Sequence, residues 1–485
     1  MTENKKEAFD QALRQTIEGR LTRRDFVVRA AALGLSIPAA GAILAACQAA
    51  ATMVPAATST AAAGASAAAI ATPAAGASAA AIATPAPLPS NAAQGLAIMV
   101  APPVTNNKWW DGWVAAANKA AADLGMTTNI QNFNGSTDAQ VSAFSNAKNL
   151  GVAGAMTMAN VAAVSPKLMQ SCQDQKVFCA NNHSEQPWVT PLDIGDYFVL
   201  HLEFPHQGSM ESLATFLFEK MGKKGNILHI TGVPGNNASD LKDYGLDQVL
   251  KKYPDIHMLA RQPGYFGRVK TIPVVENLLT TYPDVKAIIA QNDDQALGAI
   301  TVLKQKGLMD KILVVGFDAI PESLDAIDAG ELLATVVNPG EWMGGYMMVR
   351  IFDAINGVKY DDLDRMQMFE TFVLNSKPAA DAYRKIQQAG FPYDWQKMSR
   401  FLHPNDWDVQ IGLRDLNPES FWLAFESTKP AVYKLPAAYQ VPQANYDARN
   451  ADYAAHLKYN QLDAVKALVD PLYVAPPNDY WTRMP

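Results

Sequence analysis

Residues 291–345 read QNDDQALGAITVLKQKGLMDKILVVGFDAIPESLDAIDAGELLATVVNPGEWMGG, and they decide the fold. Just before them, apolar residues 287–290 run into polar Gln291, Asn292 and Asp293. Ala296, Leu297, Ile300, Val302 and Leu303 then give a helix an apolar face, which Gly307 closes. Leu313, Val314 and Val315 predict a buried strand that ends in polar Asp318. A helix over 321–329 stops at Gly330, and a strand over 334–337 ends in Asn338-Pro339. Short apolar strands alternating with amphipathic helices predict a parallel sheet covered on both faces. Ligands of such sheets bind beyond the carboxyl ends of the strands. Here those ends carry Asn292, Asp318 and Asn338, three hydrogen-bonding side chains and no nucleophile.

The words NDDQALGA (292–299), VVGFD (314–318), G-x-L-x-A-T-V (330–336) and the pair Gly344-Gly345, placed at a helix start, occur in a fixed order and spacing. With them the chain resembles the ribose-binding-protein-like sugar-binding proteins of ABC transporters, the type I periplasmic binding proteins. The resemblance covers about 95–376. It implies an α/β fold of two Rossmann-like lobes with parallel sheets covered by helices, and a ligand cleft between them. It also implies three hinge crossings, near 203–205, 338–339 and 368–370. The N-terminal lobe is then 95–203 with 339–368, and the C-terminal lobe 204–338 with 369–376. The resemblance does not extend to residues 377–485. They hold Trp395, Trp407, Trp422 and Trp481, too aromatic for a disordered segment. An ordered extension that docks on the lobes without supplying the pocket is expected, its clearest helix over 452–469.

A chain of 485 residues is long enough for a substantial core. A net charge of −7 gives no reason to expect nucleic acid as a partner, and three cysteines do not make a disulfide scaffold. Residues 1–47 read as an address. Arg23-Arg24 in TRRDFVV resembles the twin-arginine export motif, the apolar segment behind it is short and broken by Gly34, Pro38 and Gly41, and Leu44-Ala45-Ala46-Cys47 resembles a lipobox. Cys47 is therefore the expected lipidation site, tethering the protein to the outer face of a membrane. Residues 48–94 read as an Ala/Pro/Gly-rich stretch, in which a 12-residue unit at 63–74 repeats at 75–86, and a flexible tether is expected there.

The first lobe opens on a strand over 96–100. Asn107-Lys108-Trp109-Trp110 matches the family's Asn-x-aromatic-aromatic word. An indole packs the C–H face of a sugar ring while asparagine both donates to and accepts from hydroxyls. Trp113, one turn on, reads as core. A strand over 177–180 ends in Asn181, Asn182 and His183, and ribose-like relatives carry Asp-Arg at the first two of these positions, so two amides are expected in the pocket without the usual charge. For Cys172 and Cys179 two readings stand, a disulfide or two buried thiols. His201, Glu203 and His206 lack the spacing of a zinc helix, and Pro205 breaks any helix between them, so no metal is expected. In the second lobe Asp240 occupies the position where relatives carry an arginine. Gln262-Pro263 with Phe266 and Arg268 resembles the family's Gln-Pro-x-x-Phe-x-Arg, making Phe266 the other aromatic cover.

The expected ligand is small, neutral and polyhydroxylated, monosaccharide-like, with an amino sugar also compatible. No cofactor is expected. The expected partners are the permease subunits of an ABC importer. A repressor with this core would carry a helix-turn-helix where this chain has an export signal and a tether. An enzyme needs a constellation, and Gly-x-Ser-x-Gly, phosphate-loop, His-Glu-x-x-His and paired-cysteine motifs are all absent. A tethered sugar receptor that signals to a membrane sensor fits the same residues.

Overall fold

A computed structural model describes residues 85–105, 107–390 and 392–475. Arg23-Arg24, Cys47, the two 12-residue repeats (all but their last two residues) and Trp481 lie outside the described residues. The first sheet holds β1 (Ala97–Ala101), β2 (Thr127–Ile130), β3 (Val152–Thr157), β4 (Phe178–Asn182) and β5 (Phe198–Glu203). The second holds β6 (Gly225–Thr231), β7 (Ile256–Pro263), β8 (Ala287–Ala290), β9 (Leu313–Asp318) and β10 (Ala334–Val337). β11 (Met366–Phe369) then returns to the first sheet beside β5, and β12 (Thr371–Leu374) joins the second beside β10. All these pairings are parallel except β12 against β10.

Two lobes of α/β type follow, and the chain passes between their sheets after β5 at Phe204-Pro205, after β10 at Asn338-Pro339, and at Glu370 between β11 and β12. The inner strands are apolar and almost wholly buried because helices cover both faces, whereas the edge strands β2 and β7 are more polar and partly exposed. Helix Asp293–Lys306 shows how local chemistry sets the ends. Asn292 caps it, its side chain accepting from the Gln295 N–H at 2.9 Å, and Gly307 ends it at φ 63°, a conformation that glycine adopts without strain.

Gly344 and Gly345 lie inside helix Gly340–Ile355, in its second turn rather than at its start. Their reason is close approach. A Cβ on Gly344 would stand 2.2 Å from the Trp113 carbonyl oxygen, and one on Gly345 would stand 2.3 Å from the Trp395 ring. This helix therefore lies flush on helix Lys108–Asp123 and accepts the extension on its flank.

The extension adds two crossings to the three expected ones. Helix Lys377–Gln388 packs on helix Pro321–Asp328 of the second lobe. The chain then reaches the first lobe, where Trp395 is buried and β13 (Leu413–Asp415) pairs antiparallel with β11. It finally returns to the second, where β14 (Val474–Ala475) pairs antiparallel with β12. Each seven-stranded sheet thus ends on a strand supplied by the extension, and the lobes are linked by five crossings. The helix expected over 452–469 is broken. Helix Gln443–Ala455 stops at His456, and a short helix resumes at Asp463–Lys466, because the intervening chain runs between lobes and binds Asp408 through the Lys458 N–H at 3.0 Å. The hinge residue Glu370 is clasped on the way. Its carboxylate accepts from Asn460 at 3.1 Å and from Lys466 at 2.9 Å, and its N–H donates to the Gly412 carbonyl at 2.9 Å.

Cys172 and Cys179 form a disulfide between helix Ser165–Gln175 and β4, which resolves the two readings left open by sequence. Among the described residues no helix is long and apolar enough to cross a membrane.

Candidate functional site

The cleft opens where the carboxyl ends of the two sheets face each other. The first lobe contributes Asn107, Trp109, Trp110, Met158, Asn160 and His183 to its wall, and the second contributes Asn236, Lys242, Phe266, Asn292, Asp318 and Asn338, with His206 at the hinge. No described residue after Asn338 lines it. Seven sequence-expected residues thus meet here: Asn107, Trp109, Trp110, Phe266, Asn292, Asp318 and Asn338.

Their side chains are less free than the sequence suggests. Asn107 caps helix Lys108–Asp123, accepting from the Trp110 N–H at 3.1 Å, and its Nδ2 donates across the cleft to Asp294 at 2.9 Å. The Trp109 indole N–H donates to the Asn338 carbonyl at 2.8 Å, and its ring lies edge-on to Trp110 with centroids 4.6 Å apart. A Cβ at Gly340 would stand 2.8 Å from that indole, so Trp109 also serves as a post under the hinge. Asn292 spends its oxygen on the helix cap and donates to the Phe266 carbonyl at 3.1 Å. Each amide keeps one donor hydrogen and one lone pair for a ligand.

Three expected residues do not line the cleft. β4 continues two residues beyond the expected end, so Asn181 and Asn182 are buried in it. Asn181 donates to the Ser184 carbonyl and to Glu185 and accepts from the Ala159 N–H, which ties two loops together. His183, at φ 58°, is the residue that turns into the cleft. Asp240 sits on helix Asn237–Leu250 two positions from Lys242 and thus on another face. Ala238 and Lys242, four apart, share the face that lines the cleft. The absence of a pocket cation, read from the missing arginines, is therefore corrected: Lys242 is there.

Lys242 is buried and donates to the Gln291 carbonyl at 2.7 Å, with its ammonium 4.3 Å from the Phe317 ring centroid. Burial pulls it down to about 8, against the charges of Asp318, Asp293 and Glu203. Burial pushes Asp318 up to about 7, against the Lys242 charge and the hydrogen bond it accepts from Asn338 at 3.1 Å. Asp318 also has φ 108°, and Ala319 follows at 54°, backbone conformations that are strained for side-chain-bearing residues and common at ligand clamps. Asp293 turns away from the cleft. It accepts from Thr335 at 2.8 Å and from the Ile320 N–H at 3.1 Å, and burial raises it.

Several polar atoms on the wall make no hydrogen bond among the described residues, although a buried polar group ordinarily makes one. They are Asn160 Nδ2, Asn338 Oδ1 and the ring nitrogens of His183 and His206. Asn160 follows β3, at the same kind of strand end that made Asn292 and Asn338 visible, and that rule would have found it. His183 directly follows β4 and obeys the same rule, whereas His206 and Lys242 carried no such signal.

The lobes touch around this cleft. Besides Asn107 to Asp294, Asn236 donates to the Asn160 carbonyl at 3.2 Å, the Ala162 N–H to the Gly235 carbonyl at 3.0 Å, and Asn237 to the Glu185 carbonyl. Arg268 holds Asp294 in place at 2.9–3.0 Å, so its partner belongs to this cross-cleft contact.

Residues 98–359, just over half of the chain, match the periplasmic binding protein domain. The chain belongs to this family. It is 36% identical over 129 residues to the ribose import binding protein of Escherichia coli K12, covering 27% of this chain and 43% of that protein. It is 33% identical over 159 residues to the D-allose-binding periplasmic protein of the same strain, covering 32% and 51%. The chain thus spans about half the length of the curated relatives it matches. Its fold superposes on an ABC transporter periplasmic solute binding protein from Actinobacillus succinogenes, solved with D-allose, at a TM-score of 0.55 and 21% identity, covering 59% of this chain and all of that one.

Proposed function

We propose that this protein is the extracytoplasmic substrate-binding protein of an ABC-type sugar importer, capturing a small neutral polyhydroxylated ligand by hinge closure. The observation that carries this reading is the set of unpartnered donors and acceptors, Asn160 Nδ2 and Asn338 Oδ1 among them, on a wall that also presents Trp110 and Phe266. A hydroxyl both donates and accepts, so a ring of hydroxyls satisfies such a wall while its C–H face packs on the aromatics. Lys242 and Asp318 offset each other in charge, which favours a neutral ligand over an anion that would leave Asp318 uncompensated. Amino sugars remain compatible through Asp318. Asn107, Asn292, Asp318 and Asn338 bond the hydroxyls, with Lys242 and Asn160 added to the set read from sequence. Names of the matched relatives, which bind ribose and D-allose, support the same ligand class.

Cys47 carries the lipid in this reading, and the ABC permease is the partner that receives the closed lobes. The Cys172–Cys179 disulfide fits an oxidising compartment. Small-angle scattering with and without a saturating sugar tests the closure. A smaller radius of gyration on binding is expected, and superimposable profiles would remove the hinge from the proposal.

A further inference from the structure

We propose that His183, Glu203 and His206 form a site for a divalent transition-metal ion, zinc by preference, on the hinge wall of the cleft. The three offer ligand atoms that all lie within 4.8 Å of one another. His206 Nε2 is 3.2 Å and His183 Nδ1 3.9 Å from the same Glu203 oxygen. Tetrahedral zinc with bonds of about 2.0–2.1 Å holds its ligand atoms roughly 3.3 Å apart, so the donors need to close by an ångström or less on average.

Sequence spacing concealed the set. The run from His201 to His206 has no zinc-helix period, and the third donor comes from the neighbouring strand. β4 and β5 pair in parallel with Asn182 opposite Leu202, which brings His183 level with Glu203. His206 follows Phe204-Pro205 at the start of helix His206–Lys220.

Three observations point to an ion. The first is that His183 and His206 are 3% and 2% exposed, yet none of their ring nitrogens makes a hydrogen bond, and the approach of His206 to Glu203 lacks the alignment of one. Secondly, two imidazoles and a carboxylate are the donor set of open zinc sites, whereas magnesium and calcium prefer oxygen ligands. Lastly, Glu203 is oriented from outside the set: its other oxygen, Oε2, lies 3.1 Å from His201 Nε2, and the oxygen that faces the two histidines, Oε1, accepts from the Phe204 N–H at 3.1 Å. Lys242 opposes a cation here, and the Glu203 carboxylate answers that charge. Because His183 and His206 line the cleft, the remaining coordination positions face the ligand. Glu203 ends the first lobe's sheet and His206 begins the second lobe, so an ion would also staple the first crossing.

The test uses the full chain, stripped with a chelator and titrated calorimetrically with zinc chloride in the absence of any sugar. One zinc per chain is expected, with a rise in melting temperature that magnesium and calcium do not reproduce. Loss of an outer-shell partner alone lowers metal affinity about 10- to 100-fold, so His183→Gln and His206→Gln should each lower it at least that much. Exposed His257→Gln should not change it. Absence of saturable zinc binding, or undiminished binding in the His183→Gln/His206→Gln double variant, overturns the site. If the variants do not fold, cobalt(II) on the wild type decides: intense visible bands of four- or five-coordinate cobalt support the site, and the weak spectrum of aqueous cobalt overturns it. Sugar binding enters none of these readouts, so the metal site and the sugar reading stand or fall separately.

Discussion

Replacing Asp318 by Asn separates what the cleft needs for capture from what it needs for folding. Asp318 titrates near 7 in the folded protein against 3.8 in an unfolded chain, because burial disfavours its charge more than Lys242 favours it. The folded state therefore binds more protons than the unfolded state between about pH 4 and pH 7, and stability falls as pH rises through that interval. About three pKa units at 1.36 kcal/mol each set a ceiling of roughly 4 kcal/mol. Asp318 keeps partial exposure into the cleft, and its loss removes the attraction that Lys242 enjoys, so about half that figure is the expected gain. The amide keeps the shape and tolerates the positive φ. Thermal unfolding of ligand-free Asp318→Asn should match the wild type near pH 4, exceed it increasingly up to pH 7, and hold that margin at pH 8. The same variant should bind sugar about tenfold more weakly, since a neutral acceptor replaces a charged one. A melting difference that does not vary with pH, or an Asn variant less stable at pH 8, would refute the assignment of a strained, desolvated carboxylate.

Cys47→Ser should move the protein from the membrane pellet to the soluble fraction on cell fractionation, and unchanged membrane association would remove the lipid anchor. Asp294→Ala deletes the cross-cleft bond to Asn107 and frees Arg268. It should raise the ligand dissociation rate several-fold in stopped-flow measurements, in line with about 1 kcal/mol for one hydrogen bond, while leaving the melting temperature of the free protein nearly unchanged. Truncation after Ser376 strips an edge strand from each sheet and uncovers Trp342, whose indole donates to the Val409 carbonyl at 2.9 Å. The truncated chain should lose stability and solubility far more than affinity, and a folded truncation that no longer binds would show that the extension builds the pocket.

The two-lobed core was legible because its information is local. Apolar four-residue strands, helix caps such as Asn292 and Gly307, and polar strand ends such as Asp318 and Asn338 declare themselves within a few residues. What stayed hidden depends on pairings distant in sequence or on a turn's exact rotation. Asn181 and Asn182 missed the cleft because β4 runs two residues further, which shifts the cleft-lining position to His183. Asp240 missed it by two positions, which on a helix is just over half a turn, and left the cation to Lys242. The extension was legible only as aromatic. Nothing local in Leu413–Asp415 or Val474–Ala475 says that these short segments complete the two sheets.

Calorimetric titration of pentoses, hexoses, polyols and amino sugars into the wild type, Trp110→Ala and Asp318→Ala tests the central claim most directly. The account predicts one neutral polyhydroxylated compound bound at one site per chain, with both variants at least about tenfold weaker, the equivalent of one lost buried hydrogen-bond partner or stacking contact. A best ligand that is apolar or strongly anionic, or two folded variants that bind it as tightly as the wild type, would contradict it.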